Sequence, residues 1–127
     1  MQWPACALIT AALLPIVAAG VQKWGAQDYD NHRPRSWGQQ TSDPRRQRAL
    51  AAQANSWEAL AVFAPALLYA LHQQADPLWV DRLCALFIVA RVLYLWAYVS
   101  DRASLRTGVW LLGFGASMGL LGLSVQA

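Results

Sequence analysis

The chain has 127 residues, a length that suits one small domain spanning 1–127. With 57% hydrophobic residues, 13% charged residues and seven tryptophans, its composition excludes an ordinary soluble protein. The net charge of +3 does not point to nucleic acid, because the charges are segregated: none lies in residues 1–22 and none in 107–127.

Four apolar spans emerge, at about residues 3–22, 49–73, 78–100 and 107–125, each near the roughly 20 residues that cross a bilayer as a helix. Backbone in lipid must satisfy its own hydrogen bonds, so the expected fold class is an all-α membrane protein, a four-transmembrane-helix bundle. The alternation of a membrane barrel is absent.

The first span contains Pro15, where a kink is expected, and alanines that permit close helix approach. It lacks the charged start of a signal peptide, so it is read as a helix. Cys6, here, and Cys84, in the third span, have no partner spacing and read as small packing residues. A polar loop follows over 23–44. Its Tyr29-Asp30-Asn31-His32-Arg33-Pro34-Arg35 run has turn chemistry. His32 alone lacks the companions that a metal site needs, and no metal is expected.

Thr41-Ser42-Asp43-Pro44 reads as a helix start, placing the second helix at about 45–73. This helix carries Asn55 and Glu58 one turn apart on one face, within otherwise apolar sequence. Such residues in a span usually face a protein interior or a wet cavity. Pro65 interrupts the helix beyond them. Asp76-Pro77 starts the third helix, at about 78–100, in which Arg91, Tyr94 and Tyr98 follow an i, i+3, i+7 spacing on one face. Trp79 and Trp96 suit interfacial anchors. The fourth helix, about 105–125, is glycine-rich, and Gly115 and Gly119 form a GxxxG pair suited to close packing.

Lys23, Arg33, Arg35, Arg45, Arg46 and Arg48 precede the second span, and Arg102 and Arg106 lie between the third and fourth; only Arg82 falls on the opposite side. The positive-inside rule therefore puts loops 23–48 and 100–106 in the cytoplasm and both termini outside. Glu58 lies ten residues beyond Arg48 and Arg91 nine residues before Ser100, so both reach roughly 14–15 Å below the same face. Asn55, Tyr94, Tyr98, Arg48 and Arg106 rise from there to the rim. Two accounts compete: a buried Glu58–Arg91 pair that fixes helix packing, or a site for a small ligand bearing both signs of charge. The number of polar groups along one route favours the site.

Three motifs carry a resemblance: Asn55-x-x-Glu58 followed by Phe63, then Ala90-Arg91-x-x-Tyr94-x-x-Ala97-Tyr98, then Leu105-Arg106-Thr107. With four helices at this length, the chain resembles the MAPEG family, the membrane-associated proteins of eicosanoid and glutathione metabolism. Its YDNHRPR loop is similar to that of short bacterial members, which implies the inner membrane. The resemblance implies a homotrimer with glutathione sites between protomers and a lipophilic second substrate. It implies that Asn55 and Glu58 hold polar and amino groups of glutathione, that Arg91, Tyr94 and Tyr98 hold its carboxylates and peptide, and that Arg106 holds the thiolate. The implied activity is a glutathione transferase or peroxidase, its apolar substrate arriving laterally between the first and fourth helices. The chain departs from the family at Ala51, where many members carry an arginine; Arg48, Arg33 and Arg35 are the groups that could substitute. Ala61 stands where a proline is common, and Ala59 lacks a tyrosine hydroxyl found in some members. A small transporter using Glu58, or a non-catalytic family member, are the alternatives to an enzyme.

Overall fold

A computed structural model describes residues 2–127. Among the described residues five helices follow one another: α1 (Trp3–Lys23), α2 (Pro34–Gln40), α3 (Pro44–His72), α4 (Pro77–Val99) and α5 (Ala103–Gln126). Among the described residues there is no strand.

The helix starts are written in the sequence. Asp43 caps α3 by accepting from the Arg45 backbone N–H at 2.9 Å, with Pro44 at the first helical position. Asp76 caps α4 by accepting from the N–H groups of Leu78 at 2.9 Å and Trp79 at 3.3 Å. The ends of α3 and α4 share one device. Gln74 (φ 56°) and Asp101 (φ 59°) take the left-handed conformation. The next residue then bonds back, Ala75 to the Ala70 carbonyl at 3.0 Å and Arg102 to the Ala97 carbonyl at 2.8 Å. Pro15 and Pro65 lie inside α1 and α3, which are unbroken in secondary structure.

The polar loop between α1 and α3, read from the sequence for its turn chemistry, also contains a helix. Asp30 makes the expected turn, accepting from the His32 N–H at 2.9 Å, and α2 follows from Pro34. Seven residues with an internal glycine have little helix tendency of their own. Docking supplies the rest. Gln22 donates to the Gly38 carbonyl at 3.2 Å, and Arg46 donates to the Gln22 carbonyl at 2.6 Å. A Cβ on Gly38 would lie 3.0 Å from the Gln22 amide nitrogen, so glycine permits this approach. Trp37 is buried edge-on against Tyr29.

The four long helices form a bundle in which α1 packs chiefly on α3 and α4 on α5. The end bearing Lys23, α2, Arg48 and Arg106 is called the basic end below. Far from it lies a core of Ala7, Ala66, Leu67, Cys84 and Leu120, centred on Phe63 stacked against Phe87 at 3.7 Å. Cys84 is a packing residue, as expected, but Cys6 is exposed on the protomer surface. The GxxxG pair is split: a Cβ on Gly119 would meet Leu83 at 3.1 Å, whereas one on Gly115 would meet nothing.

Much of the exterior is apolar, with Ile9, Leu13, Leu68, Val89, Leu111 and Leu112 outward-facing, the inverse of a soluble protein. Helices α1, α4 and α5 are long and apolar enough to cross a membrane. Helix α3 is the longest at 29 residues. Its N-terminal half carries Arg45, Arg46, Arg48, Asn55 and Glu58, which sets it apart from the other three.

Candidate functional site

Three helices meet in the half of the bundle nearer the basic end. Helix α3 contributes Asn55 and Glu58, α4 contributes Arg91, Tyr94 and Tyr98, and α5 contributes Arg106. The direct Glu58–Arg91 pair, the packing account weighed against a ligand site, does not form among the described residues. Asn55 stands between them: its amide nitrogen donates to Glu58 Oε2 at 3.1 Å, and its oxygen accepts from Arg91 Nη2 at 3.0 Å. An amide is suited to this place because it offers a donor to the acid and an acceptor to the base at once.

Arg91 is only 3% exposed. Among the described residues no carboxylate lies within ion-pair distance of it. Its guanidinium stacks 4.2 Å from the Tyr94 ring. Arg106 repeats the arrangement nearer the basic end, 4.6 Å from the Tyr98 ring, and the two tyrosines meet edge to face at 5.6 Å. Alternating guanidinium and phenol groups thus run along α4 and α5, each arginine held to a tyrosine by cation–π attraction. Two guanidinium groups face one carboxylate, so the cluster carries a surplus positive charge.

Two cavities open on this cluster. The outer one, about 130 Å³, is lined by Asn55, Tyr94, Arg106, Thr107 and Trp110. The inner one, about 120 Å³, has a polar end at Asn55, Glu58 and Arg91 and an apolar end at Ala59, Val62, Phe87 and Phe114; Gly113, Ser117 and Trp110 complete it. Asn55 and Trp110 belong to both. Trp110, Gly113 and Ser117 are the site residues that sequence reasoning missed. The signal was available, since Arg106, Trp110, Gly113 and Ser117 fall at i, i+4, i+7, i+11 and share one helix face.

One protomer does not bring the remaining expected residues to these cavities. Arg48 turns to the carboxyl end of α4, donating to the Val99 carbonyl at 3.3 and 3.4 Å, with Asp101 at 4.0 Å. Arg33 lines a separate pocket with Asp30, Ser36 and Gln40. Arg35 lines a third, of about 450 Å³, with Lys23, Gln53 and Trp57 on the α1 side of α3.

The sequence model of the MAPEG family matches residues 3–126. The chain belongs to the MAPEG family. No curated protein matches it. Family membership and its apolar helices make it a multi-pass membrane protein. MAPEG proteins are generally associated with glutathione. The three motifs that carry the resemblance serve different ends in this MAPEG chain. Asn55-x-x-Glu58 and Arg91-x-x-Tyr94 build the polar cluster, Arg106-Thr107 lines the outer cavity, and Phe63 belongs to the distant aromatic stack.

Proposed function

We propose that this MAPEG protein is a glutathione-dependent transferase or peroxidase acting on lipophilic electrophiles. The observation that carries the proposal is Asn55, bonded at once to an acid and a base and lining both cavities. Glutathione bears two carboxylates, one ammonium and a thiol. The residues fit such a ligand: the Glu58 carboxylate is exposed and suits an ammonium, while Arg91 on the inner cavity and Tyr94 on the outer one supply donors for carboxylate and peptide, with Tyr98 packed beside them against Arg106 and lining neither cavity.

Arg106 opens on the outer cavity beside Thr107. A guanidinium beside a thiol favours the thiolate, lowering its pKa from about 8.5 and enlarging the nucleophilic fraction at neutral pH. When bound, glutathione supplies the nucleophile: its thiol proton goes to water, its sulfur bonds to the electrophilic carbon, and the leaving group departs with the bonding pair. Asn55 keeps Glu58 and Arg91 apart yet aligned, so that neither neutralises the other before a ligand arrives.

In the same proposal α3 crosses the membrane with α1, α4 and α5. The basic end faces the cytoplasm of a cell with this protein in its inner membrane, and three protomers assemble. A neighbouring protomer then provides Arg33 or Arg35 in place of the arginine missing at Ala51. One observation favours a non-catalytic family member instead: Arg48, the nearest substitute on α3 itself, is committed to α4.

Glutathione titration of the purified protein, followed by thiolate ultraviolet absorbance, separates the two. The enzyme reading expects an absorbance rise in the wild type, weaker glutathione binding in Glu58→Gln, and binding without the rise in Arg106→Ala. A wild type that assembles normally and shows no rise rejects it.

A further inference from the structure

Helix α4 has two faces of opposite character. Val80, Cys84, Phe87, Arg91 and Tyr94 recur at alternating steps of four and three and are buried in the bundle. Trp79, Arg82, Leu86, Val89, Leu93 and Trp96 recur at the same spacing and are all exposed on the protomer surface. Between Arg82 and Trp96 this outward face carries no polar group.

A tryptophan and an arginine meet at each end of that face. The Arg82 guanidinium lies 5.0 Å from the Trp79 ring, and the Arg102 guanidinium, from the turn into α5, lies 5.0 Å from the Trp96 ring. Arg82 starts one turn inside Trp79 and reaches back towards the helix N-terminus, the direction in which helical side chains lean. Both tryptophans are 49% exposed, and both arginines are exposed. Among the described residues neither arginine forms an ion pair, and Asp101, the neighbour of Arg102, reaches towards Arg48 instead. A guanidinium over an indole keeps donors free at its edge, and these can take a phosphate bidentately. The rise from Trp79 to Trp96 is about 26 Å, close to the roughly 30 Å of a bilayer's hydrocarbon core. The other cation–π contacts among the described residues involve tyrosines or the buried Trp37, so no other helix has such a pair at both ends.

We propose that the outward face of α4 is covered by lipid in the assembled protein, and that its two tryptophan–arginine pairs each hold the phosphodiester of a phospholipid, one in each leaflet. Charge selects this occupant. An exposed cation at each end, with bare apolar surface between, matches two phosphates separated by acyl chains. A second copy of the chain shares the same membrane orientation, so a symmetric contact through α4 would set Arg82 against Arg82 and Arg102 against Arg102. The inference is independent of the thiol-transfer reading and needs only the membrane location that family and helices give. It directs contacts between protomers to the other helices.

The test measures lipid retained by the full-length protein in dodecyl maltoside, by native mass spectrometry, with dioleoylphosphatidylcholine and digalactosyldiacylglycerol in competition. Both lipids are neutral overall, so the protein's net charge favours neither and the phosphate tells them apart. The wild type should retain the phospholipid about tenfold over the glycolipid, the scale of a charge-assisted hydrogen bond. Arg82→Gln and Arg102→Gln, both at exposed positions, should each reduce this preference, and the double variant should abolish it. A wild type without the preference, or a double variant that keeps it, overturns the phosphate sites. A spin label at Val89→Cys reads the face between them in phosphatidylcholine vesicles, in a Cys6→Ser background that leaves only the buried Cys84. Relaxation of the label by oxygen, without relaxation by a water-soluble nickel chelate, supports a lipid-covered face. A label shielded from both marks a protein contact, and a label reached by nickel marks water; either overturns the proposal.

Discussion

The two halves of the bundle are held by different forces. Away from the basic end, Phe63 and Phe87 stack among alanines, with Leu67, Cys84 and Leu120 fully buried around them. Near the basic end the helices meet through Asn55, Arg91, Arg106 and two tyrosines, with two cavities left between them. Small residues and ring stacking fill the core around Phe63, and the inner cavity begins at the far ring of that stack, Phe87. Hydrogen-bonding side chains of unequal length cannot pack to the same density, and the space they leave is lined by the groups that would recognise one. The apolar half is the frame on which the polar half can remain loosely filled.

Phe63→Ala tests the frame and should have the largest effect. Removing a buried phenylalanine ring costs about 3–5 kcal/mol in soluble proteins. Lipid is as apolar as the core, so the transfer contribution weakens while the cavity contribution remains, and about 3 kcal/mol is expected. Thermal unfolding in detergent measures it, and glutathione affinity of the still-folded protein should hardly change.

Arg106→Ala tests the other half and should do the reverse. Losing the guanidinium that favours the thiolate shrinks the nucleophilic fraction, so turnover at neutral pH should fall about tenfold or more. The thermal midpoint should move little, because Arg106 is partly exposed and stacked on Tyr98 alone. A large midpoint shift with intact turnover would place Arg106 in the frame and dissolve the distinction between the halves.

Asn55→Ala falls between the two. It leaves the buried Arg91 without its acceptor and Glu58 without its donor, for a cost of about 2 kcal/mol. Stability and glutathione binding should fall together. Asn55→Asp should differ, placing a carboxylate against Glu58 while giving Arg91 an ion pair, so binding is lost while stability is largely kept.

Much of this was legible in the sequence, for physical reasons. Asp43-Pro44 and Asp76-Pro77 announce helix starts because a carboxylate cap and a proline at the first position are local chemistry. The shared depth of Glu58 and Arg91 follows from helical rise. Spacing gives a face and a level, however, and leaves open which rotamer meets which. It therefore could not show that Asn55 would stand between acid and base, or that Arg48 would swing to Val99. Helix α2 was hidden because its stability comes from Gln22 and Arg46, not from its own seven residues. Trp110 was hidden by its type, since a tryptophan in a membrane span is ordinarily read as an interfacial anchor.

The smallest expected effect concerns Arg48, and it bears on which half that residue serves. Gln74 and Asp101 end α3 and α4 in the same left-handed conformation with the same pair of return bonds. A side chain there costs about 1–2 kcal/mol, and glycine gives back about 0.5–1 through the greater freedom of its unfolded chain. Gln74→Gly should therefore stabilise by under about 1 kcal/mol. Asp101→Gly makes the same backbone gain but removes the carboxylate 4.0 Å from Arg48, an exposed contact worth about 0–1 kcal/mol. Its net gain should be smaller than that of Gln74→Gly by whatever that contact contributes. If Arg48 serves the end of α4, the two thermal midpoints separate and glutathione binding stays as it was. If Arg48 instead swings to the ligand, the midpoints coincide, and freeing it from Asp101 tightens binding.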